Sequence, residues 1–322
     1  MARRRRIGEF DLIARYFAPL ARDFEGAGGL LSDNAFLPAD ARHDLVVKTD
    51  TVVSGVHFLA DERPGIVAAK ALRVCLSDLA AGGATPLAYQ LSLALPQRWT
   101  ERWVADFVRG LAADQRRYGI LLCGGDTVVT PGPLTITITA FGHVPRGRGL
   151  TRAGARAGDA LWVSGTIGDS SLGLLAARGR LSAPALEKRY RRPEPRSTLG
   201  PRLIGIASAV ADVSDGLLAD AGHIAQASRL AVRIARECVP LSIAAKRALA
   251  VEPSLWANVV GGGDDYELVI AVSPRKEDAL LRAARTADVK VTNIGSFSTG
   301  HGVMLTVAGQ PVRTPRKGYV HF

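Results

Sequence analysis

Apolar and polar residues alternate in several short segments of the chain, and between these segments apolar residues recur at helical spacing. The alternation predicts a strand over residues 44–53, and in residues 65–83 Val67, Ala71 and Val74 advance with the period of a helix. A strand at 87–95, a helix at 101–118 and a strand from residue 121 follow. The first part of the chain is therefore predicted to be a β-α-β-α-β unit.

The second part of the chain repeats this alternation after a break. Glycines and arginines cluster between apolar segments at residues 144–159, which is typical of a linker. Beyond it the pattern predicts a strand at 160–165, a helix at 168–179, a strand, turn and helix at 209–228, and a turn followed by a strand at 259–272. We therefore predict two α/β domains, residues 1–146 and residues 147–322.

The composition is typical of a globular protein and argues against a nucleic-acid-binding protein. A chain of 322 residues with 47% hydrophobic content can bury a core of two domains. Its formal net charge is +11, but Arg3–Arg6 supply part of that charge, and aromatic residues make up only 6%. Because no basic stretch is interleaved with stacking aromatic residues, we expect no specific nucleic-acid partner.

Two features of the sequence, the spacing of its cysteines and the residues at its start, indicate in which cellular compartment the protein works. Cys75, Cys123 and Cys238 are scattered and show neither C-x-x-C nor zinc-ligand spacing, which favours a reducing compartment. No run approaches 18 apolar residues, and Glu9 and Asp11 follow the arginine-rich start where a signal sequence would have an apolar core. The sequence therefore predicts a cytoplasmic protein that is not bound to a membrane.

A single acidic residue stands in the stretch "LLCGGDTVVTPGPLTITITAFG". Asp126 follows Gly124 and Gly125 and precedes the alternating run 134–139, so the pattern predicts that it lies on a turn between two strands. One interpretation is an aspartate that caps its own turn. The other is an aspartate that faces a ligand, with glycines that allow the backbone to come close to it.

Other aspartates stand at the predicted ends of elements. Asp78 lies near the end of a helix, where the helix dipole disfavours negative charge, so that either a bound cation or a neighbouring Arg73 or Lys70 is expected to compensate for it. Ser214 and Asp215 could cap the helix that follows them. Asp212 belongs to the end of a strand and cannot do so. The remaining members of this set are Asp33, Asp50 and Asp126.

Carboxylates without catalytic histidine or cysteine partners are typical ligands of Mg²⁺, which in turn holds phosphates. The sequence contains no G-x-x-x-x-G-K-[ST] loop and no H-R-D or D-F-G set. A nucleotide site in this chain must therefore use another scaffold.

Ordered motifs run along nearly the whole chain, namely "GEFDLIARYF", "KTDTVVSGVHF", "KALRVCLSDLAAGGATP", "GGDT", "SGTIGDSSLGL", "DVSDGLLAD", "GGDDYEL" and "KGYVHF". Together they resemble the motifs of the thiamine-monophosphate kinase family, whose superfamily includes aminoimidazole ribonucleotide synthetase and selenophosphate synthetase. The resemblance implies an aminoimidazole ribonucleotide synthetase-like fold with an N-terminal dimerising α/β domain and a C-terminal α/β domain. It further implies a homodimer, ATP as co-substrate, several Mg²⁺ ions and phosphorylation of thiamine monophosphate to thiamine diphosphate.

The resemblance also assigns roles to residues of this chain. Positions that match metal ligands are Asp33, Thr49, Asp50, Asp78, Asp126, Asp212 and Asp215, among which Asp126 and Asp212 are assigned to catalysis. Positions that match ATP-binding residues are Gly125, Asp126, Arg148 and Ser214. Positions that match substrate-binding residues are His57, Asp264 and Tyr319.

The chain departs from the family pattern at three places. Asn34 stands where the family has a second aspartate, Val128 and Val129 occupy a stretch where an arginine is expected, and Cys75 replaces an asparagine. Two hypotheses follow, an active kinase and a nucleotide-binding homologue with weakened catalysis.

Overall fold

The computed structural model describes residues 8–30, 37 and 40–312, which form two compact units. Unit 1 contains the described residues up to Leu79 together with Pro86–Arg146. Unit 2 contains Ala80–Thr85 and the described residues from Gly147 onwards. Arg146 is the last residue of unit 1, and the short segment Ala80–Thr85 belongs to unit 2.

Unit 1 begins with helical turns and continues as an alternation of strands and helices. The short helix α1 (Glu9–Leu12) is followed by a π-helical turn (Ile13–Phe17) and two 3₁₀ segments (Ala18–Ala21 and Glu25–Leu30). Its longer elements are β1 (His43–Val53), α2 (Pro64–Ala81), β2 (Thr85–Pro96), α3 (Glu101–Tyr118), β3 (Leu121–Thr130) and β4 (Thr135–Pro145). The predicted β-α-β-α-β order is confirmed.

The four strands of unit 1 form one sheet in the order β1-β4-β2-β3. β1 and β4 are antiparallel, and β2 and β3 are parallel because α3 connects them. Helix α3 is capped at its N-terminus by Thr100, whose hydroxyl accepts the Trp103 N–H, and at its C-terminus by Gly119 in the left-handed conformation. A buried, two-bond ion pair between Arg73 on α2 and Asp114 on α3 joins the two helices.

Unit 2 is built around a mixed sheet with helices. Its elements in chain order are β5 (Ala160–Ser164), α4 (Asp169–Ala177), α5 (Pro184–Arg191), β6 (Ala209–Asp212), α6 (Leu217–Ala227), β7 (Ala231–Ala235), α7 (Ile243–Val251), α8 (Trp256–Gly261), β8 (Leu268–Val272), α9 (Glu277–Thr286), β9 (Val291–Ser298), β10 (Gly302–Val307) and β11 (Gln310–Val312). Short 3₁₀ segments lie at Gly200–Leu203, Arg236–Cys238, Pro253–Leu255 and Pro274–Lys276.

The sheet of unit 2 has the order β11-β10-β7-β9-β5-β8-β6. Every residue of β5, β6 and β8 is buried, and their sequences are apolar except for the last residues of β5 and β6, Ser164 and Asp212. β5 and β6 both run antiparallel to β8 and are therefore parallel to each other. Their last residues, Ser164 and Asp212, lie at the same end of the strands. The α/β prediction is confirmed for both units. Within the described part of the chain, no helix is long and apolar enough to cross a membrane.

Candidate active site

In unit 1, two of the expected metal ligands converge on a lysine. Lys48 Nζ lies 3.0 Å from Asp50 Oδ1 and 3.1 Å from Asp78 Oδ2. Lys48 and Asp50 are two residues apart on β1 and therefore face the same side of the sheet, towards α2, which carries Asp78. Lys48 is thus a cation that compensates for Asp78 in this structure, and Arg73 makes a two-bond ion pair with Asp114.

The environment of this ion pair affects two pKa values. Burial by itself lowers the pKa of the Lys48 ammonium, but the charges of Asp78 and Asp50 outweigh it and raise this pKa above its ordinary value. Cys75 Sγ lies 3.5 Å from Asp50 Oδ2 and 3.4 Å from the Ile138 main-chain oxygen. Burial raises the pKa of the Cys75 thiol well above its ordinary value. Cys75 is therefore a neutral donor beside Asp50.

Thr49 lies on the other face of β1. Its hydroxyl is 3.0 Å from the Thr139 hydroxyl on β4, away from the carboxylates of Asp50 and Asp78. A metal ion bound by Asp50 would have to use the main-chain oxygen of Thr49, because the hydroxyl faces away.

His57 is half-buried in the turn that follows β1. Its Nδ1 accepts the Val53 N–H at 3.0 Å. This hydrogen bond requires a lone pair on Nδ1, so the neutral ring carries its proton on Nε2. His57 thus presents an N–H donor at Nε2.

Asp126 is not on a turn, and that prediction was wrong. It lies inside β3, exposed and in register with Ser92 of β2. Gly125 has φ +155°, and a Cβ at this position would come within 1.9 Å of the Leu91 main-chain oxygen. The glycine is therefore required by the close approach of β2, which allows the strand to continue through a pattern that is typical of turns.

Sheet order separates Asp126 from the pair formed by Asp50 and Asp78. β1 and β3 are the two edge strands, and β4 and β2 lie between them. At about 4.8 Å per strand the axes of β1 and β3 are roughly 14 Å apart. A single ion within unit 1 could not contact both Asp50 and Asp126.

In unit 2, the segment after β6 and the segment before β8 are hydrogen-bonded to each other. Asp264 N–H donates to the Ser214 oxygen at 2.9 Å and Tyr266 N–H donates to the Val213 oxygen at 2.9 Å. A Cβ on Gly263 would come within 2.1 Å of the Ser214 oxygen, so this contact requires glycine. The candidate ATP-binding and substrate-binding residues Ser214 and Asp264 are therefore held side by side.

Neither Ser214 nor Asp215 caps α6. The N-cap position is Gly216, and the Asp220 carboxylate in the first turn accepts the N–H groups of Asp215 at 3.1 Å and Gly216 at 3.0 Å. The capping interpretation of Ser214 and Asp215 is therefore wrong, because Asp220 fulfils that role from within the helix.

Asp220 also brings His223 close to Asp215. Ligand atoms of Asp215, Asp220 and His223 all lie within 4.8 Å of one another. His223 Nδ1 is 3.4 Å from Asp220 Oδ1, and this carboxylate raises the pKa of His223. This group of side chains could accommodate a metal ion.

The motif "GGDDYEL" combines a half-buried aspartate, Asp264, with buried residues that anchor the segment. Asp264 and Tyr266 both have positive φ, at 71° and 52°, and the Tyr266 hydroxyl donates to Asp264 Oδ1 at 3.0 Å. Asp265 is fully buried and accepts the Gly168 and Ser170 N–H groups at the start of α4. Burial raises the pKa of Asp265 to about 8.

Glu267 is the second anchor of this motif and is also fully buried. Its carboxylate accepts from the Ser164 hydroxyl at 2.6 Å, from Arg196 Nε at 2.6 Å and from Arg189 at 3.0 Å, and a second Arg196 nitrogen also donates to it. These charged bonds hold the backbone of the motif at the edge of the sheet.

Asp212 and Arg148 are two further residues that the sequence analysis assigns to the site, and one of them is buried while the other is exposed. Asp212 ends β6 and is buried, opposite Leu268 of β8. Arg148 is exposed, and its guanidinium lies next to Gly205, where an added Cβ would be 3.0 Å away from it.

Comparison with known proteins identifies the family. Residues 31–144 match the model of the AIR synthase related protein, N-terminal domain, and residues 156–308 match that of its C-terminal domain. The thiamine-monophosphate kinase of Caulobacter vibrioides is 46% identical over 318 residues, which cover 97% of this chain and 90% of that protein. The chain belongs to the thiamine-monophosphate kinase family.

Solved structures of thiamine-monophosphate kinases agree with this assignment. The enzyme of Stenotrophomonas maltophilia superposes with a TM-score of 0.84 at 40% identity, covering 95% of this chain and 98% of that one. A protein named AaThiL, solved as a complex with AMPPCP and TMP, has a TM-score of 0.78 at 30% identity, with all of both chains covered. The resemblance inferred from the motifs is confirmed.

Three positions discussed in the sequence analysis lie outside the described residues, namely the expected site residues Asp33 and Tyr319 and the departure Asn34.

The sequence analysis missed three residues of the candidate site, Lys48, Asp220 and Glu267. For Lys48 a signal was present, since it is two residues from Asp50 on a predicted strand and must share its face. For Glu267 no local pattern indicates the partners, which are distant in the chain, whereas Asp220 accepts main-chain N–H groups only four and five residues away.

Proposed function

We propose that this protein transfers the γ-phosphoryl group of ATP to thiamine monophosphate, yielding thiamine diphosphate and ADP. Membership of the kinase family over nearly the full chain supports the reaction. The observation that carries it at the level of chemistry is the convergence of Asp50 and Asp78 oxygens on one cationic group. One or two carboxylates together with substrate phosphates are the usual ligands of Mg²⁺ in phosphoryl transfer.

The proposed metal ligands are carboxylates on both units. Asp50, Asp78 and Asp126 of unit 1 and Asp212 and Asp215 of unit 2 would hold Mg²⁺, with Asp33 assigned from the sequence alone. Bound Mg²⁺ supplies charge neutralisation between the donor and acceptor phosphates. The acceptor phosphate is already anionic at neutral pH, so the reaction needs no strong general base. The protein's contribution is positioning and electrostatics.

The proposed nucleotide contacts are Gly125, Asp126, Arg148 and Ser214. Gly125 lacks a side chain and leaves its backbone accessible, while the guanidinium of Arg148 is exposed and matches phosphate geometry. Ser214 presents a hydroxyl from a segment whose backbone is fixed by Asp264 and Tyr266.

The proposed contacts to thiamine monophosphate are His57, Asp264 and Tyr319. His57 is oriented by the Val53 N–H so that Nε2 carries the proton, which makes it a neutral donor for a phosphate oxygen. The Tyr266 hydroxyl donates to Asp264 and fixes its carboxylate, which can face the cationic ring of thiamine.

The test is a reaction with purified protein, ATP, Mg²⁺ and thiamine monophosphate, followed by chromatography of the products. We expect thiamine diphosphate and ADP in equal amounts. Omitting Mg²⁺ or thiamine monophosphate is the control and should abolish both. Turnover of selenide or formylglycinamidine ribonucleotide instead would place the protein in a sister family of the superfamily and refute the proposal.

A second candidate function is a nucleotide-binding homologue with weakened catalysis. The observations in its favour are Asn34, Val129 and Cys75, each of which departs from the family pattern. Of these, Cys75 lies beside Asp50. Binding of ATP without formation of ADP or thiamine diphosphate over a wide range of Mg²⁺ would establish this alternative.

We also propose a cytoplasmic homodimer that forms through unit 1. The edge strands of its sheet expose apolar side chains, with Leu45 51%, Val47 54% and Val129 56% exposed. Covering such side chains with a second copy would remove them from water. Unpaired Cys75, Cys123 and Cys238 support a reducing compartment.

A further inference from the structure

The Lys48 ammonium lies between two carboxylates that the sequence analysis assigns to metal binding. Its ammonium is nearly equidistant from Asp50 Oδ1 and Asp78 Oδ2, at 3.0 and 3.1 Å. The two carboxylates come from different elements, β1 and α2, so their convergence on one point is a property of the packing of α2 on the sheet. A cation at that point is required because the two negative charges would otherwise repel each other.

Two neighbouring side chains make other contacts. Arg73, five residues before Asp78 on α2, makes a two-bond pair with Asp114 at 2.8 Å for each bond. Cys75 offers a neutral thiol to Asp50 rather than a charge. The half-exposed ammonium of Lys48 is therefore the positive charge that the described contacts of both carboxylates share.

A divalent ion and the ammonium compete for the same oxygens. Mg²⁺ binds carboxylate oxygens at 2.0–2.1 Å and demands a regular octahedron of ligands. An ion bound by Asp50 and Asp78 in their present arrangement would lie against the Lys48 nitrogen, and two cations at that distance repel strongly. Lys48 must leave the carboxylates before such an ion can bind.

We infer that Lys48 is a built-in cation that takes the place of one divalent ion between Asp50 and Asp78 and thereby sets the Mg²⁺ demand of the protein. The inference rests on the proposed function only in that Asp50 and Asp78 are metal ligands. A change in the sequence acts in the same direction, since Asn34 replaces a carboxylate of the family pattern with a neutral amide. Both residues reduce the negative charge available to metal ions.

The test is a titration of the full-length protein with Mn²⁺ alone, followed by electron paramagnetic resonance, and with Mg²⁺ alone by calorimetry. Lys48→Met keeps the apolar stem and removes the charge, so we expect it to bind the metal about tenfold more tightly, or to bind one more ion, than the wild type. Lys48→Arg keeps a cation and should bind as the wild type does. Lys290→Met, an exposed lysine of unit 2, changes the net charge equally and should also leave binding unchanged.

The increase in metal affinity of Lys48→Met must depend on the carboxylates of Asp50 and Asp78. In an Asp78→Asn background, Lys48→Met should no longer increase affinity, because the pair that Lys48 neutralises no longer exists. Lys48→Gln serves as a second neutral variant if Lys48→Met does not fold, as judged by circular dichroism and thermal unfolding.

Unchanged or weaker metal binding by folded Lys48→Met or Lys48→Gln would overturn the inference, and Lys48 would then be a structural ion-pair partner. Because neither ATP nor thiamine monophosphate is present, this outcome is separate from the outcome of the kinase reaction. Tighter binding without any turnover would uphold the inference and contradict the proposed function.

Discussion

Replacing Glu267 by glutamine should destabilise unit 2 and loosen the segment that carries Asp264. The carboxylate is 0% exposed and accepts hydrogen bonds from Ser164, Arg189 and Arg196. Glutamine has nearly the same shape but only one oxygen. In either orientation of the amide, its NH₂ group points at an arginine N–H, so that two donors face each other and the positive charges lose their counter-ion.

The cost can be estimated from this geometry. Removing one partner of a buried ion pair destabilises by roughly 3–5 kcal/mol, because the remaining charge stays buried without compensation. For a unit of 150–250 residues, this lowers the melting temperature by roughly 6–20 °C. Glu252, an exposed residue that accepts the Ser254 hydroxyl at 2.9 Å, provides the matched control. Glu252→Gln should change stability by less than about 0.5 kcal/mol.

The effect of Glu267→Gln on function follows from the backbone conformation of the neighbouring residues. Asp264 and Tyr266 hold positive φ angles, which non-glycine residues keep only where their surroundings enforce them. Glu267 is the residue next to Tyr266, so weakening its anchor should raise KM for thiamine monophosphate more than it lowers kcat. The assays are urea unfolding and steady-state kinetics at a temperature where both variants are folded. A Glu267→Gln protein as stable as Glu252→Gln would refute the role assigned to this buried network.

Four further predictions concern the metal site, the dimer and pH. Asp126→Asn should retain the fold and lose about 10²-fold or more of turnover, and normal turnover by a protein that melts early would show that Asp126 is structural. Asn34→Asp should lower the Mg²⁺ concentration for half-maximal activity severalfold, by roughly 1 kcal/mol in binding, and an unchanged or higher midpoint would show that position 34 does not contact metal. Val47→Glu should shift the mass in light scattering from dimer to monomer, whereas a dimer that persists would place the interface elsewhere. The Asp220 carboxylate raises the pKa of His223, so its stabilisation is complete below pH about 6.5 and is lost as pH rises through the higher folded-state pKa. His223→Gln should remove this decline in urea unfolding free energy, and an unaltered pH profile would contradict it.

Local pattern in the sequence determined the type and order of most elements. Helix α3 was predicted over 101–118 and is observed at Glu101–Tyr118, because its apolar period, its Thr100 cap and its Gly119 end are all local features. The ordered motifs likewise determined the family and the set of carboxylates. These properties depend on residues within a few positions of one another.

The tertiary structure decided which of these residues meet. Two glycines before Asp126 look like a turn in sequence, yet the approach of β2 to Gly125 keeps the chain extended. Arg73 and Lys70 are the cations near Asp78 in the sequence, and the packing of α2 on the sheet brings Lys48 to it from thirty residues away. Glu267 acquired its role from Ser164, Arg189 and Arg196, which no periodicity reveals because they lie far from it in the chain. The reason is physical: periodicity reports which face of an element is buried, whereas the partner of a buried charge depends on how separate elements pack.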